Sequence, residues 1–267
     1  MKNKVVVITG SSSGIGEACA RLFASMGSKV VLAARNEQAL KDITQELNGS
    51  GFDTTYFVTD VSQENDCQQL IEKTISHYGK LDVLINNAGI SMRAILNDLD
   101  PSVVRKVMDV NFFGTVYCTK YALAHLLKTK GSVVGVSSIA GYKGLPGRCA
   151  YSASKFAMQG FLESLRLENL QKNLHVLIAC PGFTASNIRN SALNKDGQVQ
   201  SESPRDEQKM MGPEEVAAHI YQALNKRQNT LVLTLNGKLT VFLNKLFPKL
   251  VDRLVFNHLK KEPNSPF

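Results

Sequence analysis

A tyrosine and a lysine stand four positions apart at the start of an apolar-periodic run, in the stretch AYSASKFAMQGF over 150–161. In a helix, residues i and i+4 share one face, with Cβ atoms about 6 Å apart. Tyr151 and Lys155 can therefore point into one site, where a phenol and an ammonium are suited to proton transfer. A surface tyrosine beside a solvated lysine satisfies the same spacing, so the pair needs support from the rest of the chain.

A glycine-rich loop follows the first strand-like run, in VVVITGSSSGIGEACARLF. Its glycines allow a tight turn and a close approach of the backbone to a pyrophosphate, which the positive end of the following helix stabilises. An ordinary glycine-rich turn would look similar. The position of the loop between a strand and a helix favours a dinucleotide site, with contacts expected at Gly10, Ser12, Ser13, Gly14, Ile15 and Gly16.

The end of the second strand indicates which dinucleotide binds. NAD sites usually place an acid there to hold the adenosine ribose, but this strand ends VVLAARNEQ, with no acid at its tip. Arg35 follows instead, and a guanidinium can pair with a 2′-phosphate through two hydrogen bonds. The pattern favours NADP(H) over NAD, unless Arg35 is a solvated loop residue.

The elements that must position these groups alternate regularly. Strand-like runs lie at 4–9, 29–34, 54–59, 81–86, 132–137, 174–179 and 231–234, and helical patterns lie at 14–26, 37–47, 63–78, 101–127, 151–170 and 213–225. This alternation, with continuous apolar strands, predicts a single-domain α/β fold with a Rossmann-like, doubly wound parallel sheet of seven strands and helices on both faces. The expected divisions are a dinucleotide-binding and catalytic domain (1–235), a polar, aperiodic substrate lid within it (183–211), and a C-terminal amphipathic helical extension (236–267).

The composition excludes several classes of protein. The chain of 267 residues is 43% hydrophobic with a net charge of +8, which fits a nucleic-acid patch, an anionic membrane surface or a phosphate-bearing ligand. The lysines are dispersed and no nucleic-acid module appears. Scattered cysteines and histidines argue for a reducing compartment and against a metal site. Since no apolar window could span a membrane or direct secretion, we expect a cytoplasmic protein.

Six motifs occur in an order and spacing known from one family: TGSSSGIG (9–16), NNAG (86–89), Asn111 in VNFFGT, Ser138 in VVGVSSIAG, YSASK (151–155) and PGF (181–183). Over about residues 4–234 the chain resembles the short-chain dehydrogenase/reductase family, and within it bacterial relatives of the hydroxysteroid-dehydrogenase-like branch. The resemblance implies an oxidoreductase that transfers a hydride between NADP(H) and a secondary alcohol or ketone, assembled as a homodimer or homotetramer.

The resemblance also assigns catalytic roles by position. Tyr151 would be the acid in reduction and the base in oxidation, with its pKa lowered by Lys155 and by the oxidised nicotinamide. Lys155 would also hold the nicotinamide ribose. Ser138 would bond the substrate oxygen, and strand alternation favours it over Ser137. Asn111, inside the fourth helix, would anchor a water that links Lys155 to solvent.

Further cofactor contacts follow from the same resemblance. In order along the cofactor, from its adenine to its carboxamide, these contacts are expected at Asp60, Val61, Asn87, Gly89, Pro181, Gly182, Thr184 and Ser186. Ser186 departs mildly from the commoner threonine. Ser13 stands where many NADP-preferring members carry a basic residue, which leaves Arg35 as the main charge determinant.

The substrate pocket is expected around Tyr151, and Ile139, Leu145 and Phe183 suggest that it is largely apolar. Arg93 and Arg148 could recognise an acidic substrate or could remain in solvent.

The tail repeats apolar residues at spacings of three and four, interrupted at Pro248. They are Leu239, Phe242, Leu243, Leu246, Leu250 and Leu254, accompanied by Lys245, Lys249 and Arg253. Such a face can lie on an anionic membrane surface or pack on its own domain or on a second subunit. We expect protein packing, with peripheral membrane contact as the alternative.

Two other functions deserve comparison. A non-catalytic dinucleotide-binding regulator would share the glycine loop, but such proteins typically lose the tyrosine or the lysine. A serine hydrolase requires G-x-S-x-G, and GVSSI places Ile139 where the last glycine should stand.

Overall fold

Seven parallel strands form one sheet in the computed structural model, which describes residues 1–182, 184, 188–200, 210–263, 265 and 267. The sheet order is β3-β2-β1-β4-β5-β6-β7. The strands are β1 (Val5–Thr9), β2 (Lys29–Ala34), β3 (Thr54–Val58), β4 (Val83–Asn86), β5 (Ser132–Val136), β6 (His175–Cys180) and β7 (Thr230–Val232). The order reverses between β1 and β4, where sheets of this kind open a ligand crevice at the carboxyl ends of their strands.

Nine α-helices accompany the strands in the described part of the chain. They are α1 (Gly14–Ser25), α2 (Glu37–Gly49), α3 (Glu64–Tyr78), α4 (Pro101–Met108), α5 (Gly114–Thr129), α6 (Cys149–Glu168), α7 (Pro213–Asn225), α8 (Leu235–Leu246) and α9 (Pro248–Lys260). None of the described helices is long and apolar enough to cross a bilayer.

Each face of the sheet has its own core, because successive strand residues point to opposite sides. Val6 and Ile8 pack with residues of α1, α2 and α7, whereas Val5 and Val7 pack with residues of α3, α5 and α6. All five residues of β1 are buried, as are all of β4, β5 and β6. A sheet covered on both faces explains the continuous apolar strands, and the predicted fold class is confirmed.

The segment expected to be helical over 101–127 is helical, but it is not one regular α-helix. A π-helical turn, Asp109–Phe113, separates α4 from α5. At its centre Asn111 is fully buried, and its side chain bonds to the backbone of Ile90. A wider turn of this kind re-aims a side chain inside a helix and is frequent at functional sites.

The tail forms two helices on either side of the break predicted at Pro248. Protein packing of the leucine row was expected either on its own domain or on a second subunit, and the first of these is not observed, because these side chains remain 49–59% exposed. They are Leu239, Phe242, Leu246, Leu250 and Leu254, whereas Leu243 is partly buried. The buried tail residues Val251 and Leu259 lie off this row. Packing on a second subunit stays a prediction.

Candidate active site

The glycine loop after β1 forms a cradle that only glycine permits. Gly10 and Gly14 have φ angles of +65° and +57°, in the left-handed region that side chains disfavour. A Cβ on Gly16 would collide with the carbonyl oxygen of Gly10. The Ser11 hydroxyl, which accepts from Ala33 N–H at 2.8 Å, ties the loop to β2. The loop therefore presents its backbone at the start of α1, where a pyrophosphate fits.

Asn87, in the NNAG motif after β4, fixes the other side of this cradle. Its amide Nδ2 donates to the carbonyl oxygens of Thr9 and Gly10, both at 3.0 Å. The backbone N–H groups of Asn87 and Ala88 donate to Thr9 Oγ1 at 3.1 Å. The two loops at the switch point of the sheet are thus held together by the protein's own hydrogen bonds.

Arg35 lies exposed at the end of β2 and borders the cleft, with no acid at the strand tip. The neighbouring Asn36 caps α2 by accepting from Ala39 N–H at 3.2 Å. Asp60, after β3, uses Oδ1 to accept from the N–H and hydroxyl of Ser62, at 3.0 and 2.8 Å. The strand ends therefore place an exposed guanidinium and an acidic turn on the lining of the same cleft.

Tyr151, Lys155 and Ser138 meet beyond the end of β5. Because α6 begins at Cys149 rather than at Tyr151, the tyrosine lies inside its first turn. Lys155 Nζ lies 5.8 Å from the centre of the Tyr151 ring and donates to Val136 O at 2.9 Å. Ser138 accepts from Ala140 N–H at 3.1 Å, and it lies close enough to Tyr151 to act on the pKa of the phenol. The i, i+4 pair thus faces the cleft.

The adjacent serines have different partners. Ser137 is buried, and its hydroxyl accepts from Gln159 Nε2 at 2.9 Å. Ser138 is partly buried, extended at φ −162°, and starts the short 3₁₀ turn Ile139–Gly141. Ser137 is therefore engaged with α6, whereas Ser138 lies near the Tyr151 phenol and acts to lower its pKa.

The ionisable groups of the site are shifted mainly by burial. Burial raises the pKa of the Tyr151 phenol, while the nearby Ser138 hydroxyl and the charges of Arg148 and Arg189 act to lower it. Burial lowers the pKa of Lys155 to about 8. Among the protein's own groups, desolvation therefore has the largest effect on the phenol. The lowering of the phenol pKa by Lys155 together with the oxidised nicotinamide stays a prediction.

Asn111 supports the site from behind. Its Nδ2 donates to Ile90 O and Ser154 Oγ, each at 2.9 Å, and its Oδ1 accepts from Ile90 N–H at 2.8 Å. A Cβ added to Gly89 would lie 3.3 Å from Asn111 Oδ1 and 3.5 Å from Lys155 Nζ. Both donors of the amide are used, so the side chain fixes the loop after β4, and a water relay would need its remaining acceptor sites.

A cleft of about 610 Å³ joins these groups, a volume suited to a ligand. The expected residues that line it are Gly10, Ser12, Ser13, Gly14, Ile15, Arg35, Asp60, Val61, Asn87, Gly89, Ser138, Tyr151, Lys155, Pro181, Gly182 and Thr184. Gly16 and Asn111 lie behind the lining, and Phe183 and Ser186 lie outside the described residues.

Sequence reasoning missed several lining residues, namely Ala34, Asn36, Thr59, Ala88, Lys106 and Val110. Four of these adjoin expected contacts in the sequence, so adjacency was an available signal. Lys106 and Val110 come from α4 and the π-helical turn, whose geometry no periodicity revealed.

Arg93 and Arg148 hold the C-terminal segment at the substrate end of the cleft. Arg148 Nη2 donates to Glu262 Oε2 at 2.7 Å, and Arg93 Nη2 lies 3.7 Å from the same oxygen. Both arginine side chains are only 13% exposed, so the expectation that they remain in solvent is wrong. Glu262 itself carried no sequence signal in the charged stretch KKEP.

Comparison with known proteins identifies the family. The family model "short chain dehydrogenase" matches residues 4–197. The mouse protein "Dehydrogenase/reductase SDR family member 7B" is 36% identical, over 99% of this chain and 84% of its own length. The "Uncharacterized oxidoreductase YxnA" of Bacillus subtilis is 34% identical, over 96% and 72%. Neither name mentions a hydroxysteroid, so the branch stays a prediction.

Solved structures agree with this result. A short chain dehydrogenase/reductase from Burkholderia phymatum in complex with NAD has a TM-score of 0.84 and 26% identity, covering 93% of this chain and 95% of that one. An alcohol dehydrogenase from Thermococcus sibiricus, complexed with 5-hydroxy-NADP, has a TM-score of 0.75 and 26% identity, covering 86% and 94%. The chain belongs to the short-chain dehydrogenase/reductase family of oxidoreductases.

Proposed function

We propose that this oxidoreductase transfers a hydride between NADP(H) and a secondary alcohol or ketone, with Tyr151 as general acid and base. The observation that carries the proposal is the meeting of Tyr151, Ser138 and Lys155 on one cleft with the glycine cradle. A non-catalytic dinucleotide-binding protein would not need this set of groups.

The residues present fit the cofactor, because the cradle is open only where Gly10 and Gly16 lack side chains. The glycine loop would hold the pyrophosphate, Arg35 the 2′-phosphate and Asp60 the adenine. Lys155 would hold the nicotinamide ribose, while Asn87 and Gly89 would lie beneath the cofactor. The bound dinucleotide supplies or accepts the hydride.

The protein's own groups manage the proton and the developing charge. Ser138 would donate a hydrogen bond to the substrate oxygen, which stabilises the alkoxide. Tyr151 would deliver its phenolic proton to that oxygen in reduction and recover it in oxidation. The raised pKa of the phenol keeps its proton in place for reduction. A water relay anchored by Asn111 would restore the proton by way of Lys155.

Several wider features belong to the same proposal. We infer a cytoplasmic homodimer or homotetramer, with residues 1–235 as the catalytic domain, 183–211 as its lid and 236–267 as the tail. Within the lid, residues 183, 185–187 and 201–209 lie outside the described residues. Exposed Phe113, Phe156 and Leu167, on or beside α5 and α6, support a subunit contact. Sedimentation equilibrium is the check, and a monomer throughout the micromolar range would contradict it.

A turnover assay tests the proposed reaction. A panel of ketones, aldehydes and secondary alcohols is offered with NADPH, NADH and their oxidised forms, and the absorbance of the reduced cofactor is followed. We expect turnover of apolar ketones or alcohols, faster with the phosphorylated cofactor. Tight cofactor binding without turnover of any carbonyl or alcohol would contradict the proposed activity.

A further inference from the structure

Seven exposed apolar side chains follow one face of the tail helices, and they define the tail face: Leu235, Leu239, Phe242, Leu246, Phe247, Leu250 and Leu254. They recur at spacings of three and four on α8 and again on α9, so each helix presents a single apolar stripe. Their exposures run from 49 to 83%. Exposed leucines and phenylalanines gathered in one patch indicate an interaction site.

The other side of the tail is already occupied by the domain. Val251 and Leu259 are each 3% exposed, and Asn244 Nδ2 donates to Tyr142 O at 3.1 Å. Asp252 pairs with Lys143, and Glu262 pairs with Arg148. The tail is therefore fixed to the wall of the cleft by one side, and the tail face points away from it.

Basic side chains flank the tail face. Lys238 and Lys245 stand seven positions apart on α8, and Lys249, Arg253 and Lys260 recur at four and seven positions on α9. All five are exposed, and within the described residues none of them forms an ion pair. The tail carboxylates Asp252 and Glu262 are both engaged with the domain, so the outer surface of the tail is cationic.

We propose that the tail face docks on an anionic lipid bilayer, with its apolar side chains in the interface and its basic side chains against the headgroups. Such a combination of an apolar stripe and basic flanks is that of helices lying in the plane of a membrane, and lysine stems can extend toward the headgroups. A second copy fits less well, because it would bring a like cationic rim, on a chain of charge +8, against this one.

Docking would place the cleft beside the bilayer. The tail contacts Tyr142 and Lys143, a few residues after Ser138, and Glu262 reaches Arg148 in the cleft lining. A lipid-soluble carbonyl compound could then enter from the membrane, a consequence that rests on the proposed function. The docking itself does not.

Co-sedimentation of the full chain with vesicles tests the proposal. We expect binding to phosphatidylcholine vesicles containing about 30% phosphatidylglycerol at low salt, and little at about 0.5 M salt, because exposed charges are then screened. Pure phosphatidylcholine should bind weakly. The variant Lys238→Gln/Lys245→Gln/Lys249→Gln/Arg253→Gln and the variant Leu250→Asp should each bind at least roughly tenfold more weakly.

Matched controls separate the tail face from general charge and hydrophobicity. Lys41→Gln/Lys73→Gln/Lys128→Gln/Lys172→Gln removes the same charge from exposed sites elsewhere, and Leu170→Asp changes a 66% exposed leucine next to the amino-terminal end of β6. Both should bind like wild type, and melting temperatures verify folding. Absence of wild-type binding at low salt overturns the proposal, as does equal loss in the two charge variants. A dimer abolished by Leu250→Asp, without vesicle binding, assigns the face to a second copy instead.

Discussion

The glycine cradle lines the cleft, whereas the tail helices attach to residues at its edge, and different kinds of contact hold the two regions. Around the cradle, backbone groups bond to Asn87, Thr9 and Ser11, and a Cβ on Gly10 or Gly16 would collide with neighbouring backbone. The tail is held by ion pairs and by two buried apolar side chains, Val251 and Leu259. The cradle is therefore built to hold one shape, whereas the tail is attached along one side and leaves its outer face exposed.

The largest effect is expected from a substitution that tests proton transfer by Tyr151. Tyr151→Phe removes the phenolic proton and keeps the ring, so kcat should fall by about 10²–10⁴-fold. The dissociation constant for NADPH should change little, because the cradle is untouched. Stopped-flow turnover and fluorescence titration give the two numbers, and Tyr117→Phe, on α5, serves as the control. Retention of more than about a tenth of the wild-type rate would exclude proton transfer by this phenol.

Arg35→Ala tests the cofactor preference at the cradle. Loss of one charge-assisted contact to the 2′-phosphate should cost about 2 kcal/mol, so the preference for NADPH over NADH in kcat/KM should fall roughly 30-fold. NADH kinetics should stay nearly the same. Lys41→Ala, an exposed cation on α2, is the matched control. If wild type uses both cofactors equally, or if the ratio survives the substitution, the choice of NADP(H) is wrong.

Lys155→Met should raise the stability of the protein at pH 7 while it abolishes turnover. The pKa of Lys155 is lowered by burial to about 8, whereas an unfolded lysine titrates near about 10.4. The unfolded chain therefore binds more protons between these values, and wild-type stability should rise with pH across that window. At pH 7 the free energy of unfolding of the variant should be about 1–2 kcal/mol higher than that of wild type. This difference allows for the lost hydrogen bond to Val136 O, which offsets part of the gain.

The higher stability of Lys155→Met relative to wild type should shrink as the pH rises above about 8. The wild-type Lys155 then becomes neutral, and its burial no longer carries the cost of desolvating a charge. Turnover should be lost at every pH. Urea unfolding at pH 7 and pH 9.5 measures the difference, with Lys73→Met, on the exposed side of α3, as the control. A variant less stable than wild type at pH 7, or a gain independent of pH, would show that the ammonium is well solvated or well paired.

The same contrast explains what the sequence could predict. Gly10, Gly14, Asn87 and the Tyr151–Lys155 pair are dictated by local geometry, so their type and spacing locate them in the fold. Parallel strands buried on both faces read as continuous apolar runs, which is why the sheet was recognisable. The predicted helix ends differ from the observed ones by a few residues, because fraying and capping make helix ends difficult to define.

Other features depend on contacts between distant parts of the chain. Asn111, in the π-helical turn, bonds to Ile90, which lies 21 positions earlier, and Lys106 lines the cleft from α4. Arg148 is partnered by Glu262, more than a hundred positions later. The direction of the Tyr151 pKa depends on burial, which no spacing reports. The tail pattern showed an amphipathic face but not which side of it meets the domain.

The smallest expected effect concerns how strongly the tail helices are attached to the domain. Glu262→Gln keeps the shape of the side chain and removes the charge that meets Arg148 and Arg93, whose side chains are largely buried. Loss of such a charge-assisted bond should lower the local opening free energy of α9 by about 1 kcal/mol, a roughly fivefold faster amide exchange. Exchange in β1 and α1 should not change, because Arg148 and Arg93, with which Glu262 pairs, lie outside these two elements. Glu168→Gln, exposed at the end of α6, is the matched control. Hydrogen exchange read by mass spectrometry resolves the two regions. Faster exchange in both would mean that the ion pair supports the whole domain, and no change in α9 would mean that Val251, Leu259 and the pair of Asp252 with Lys143 hold the tail without it.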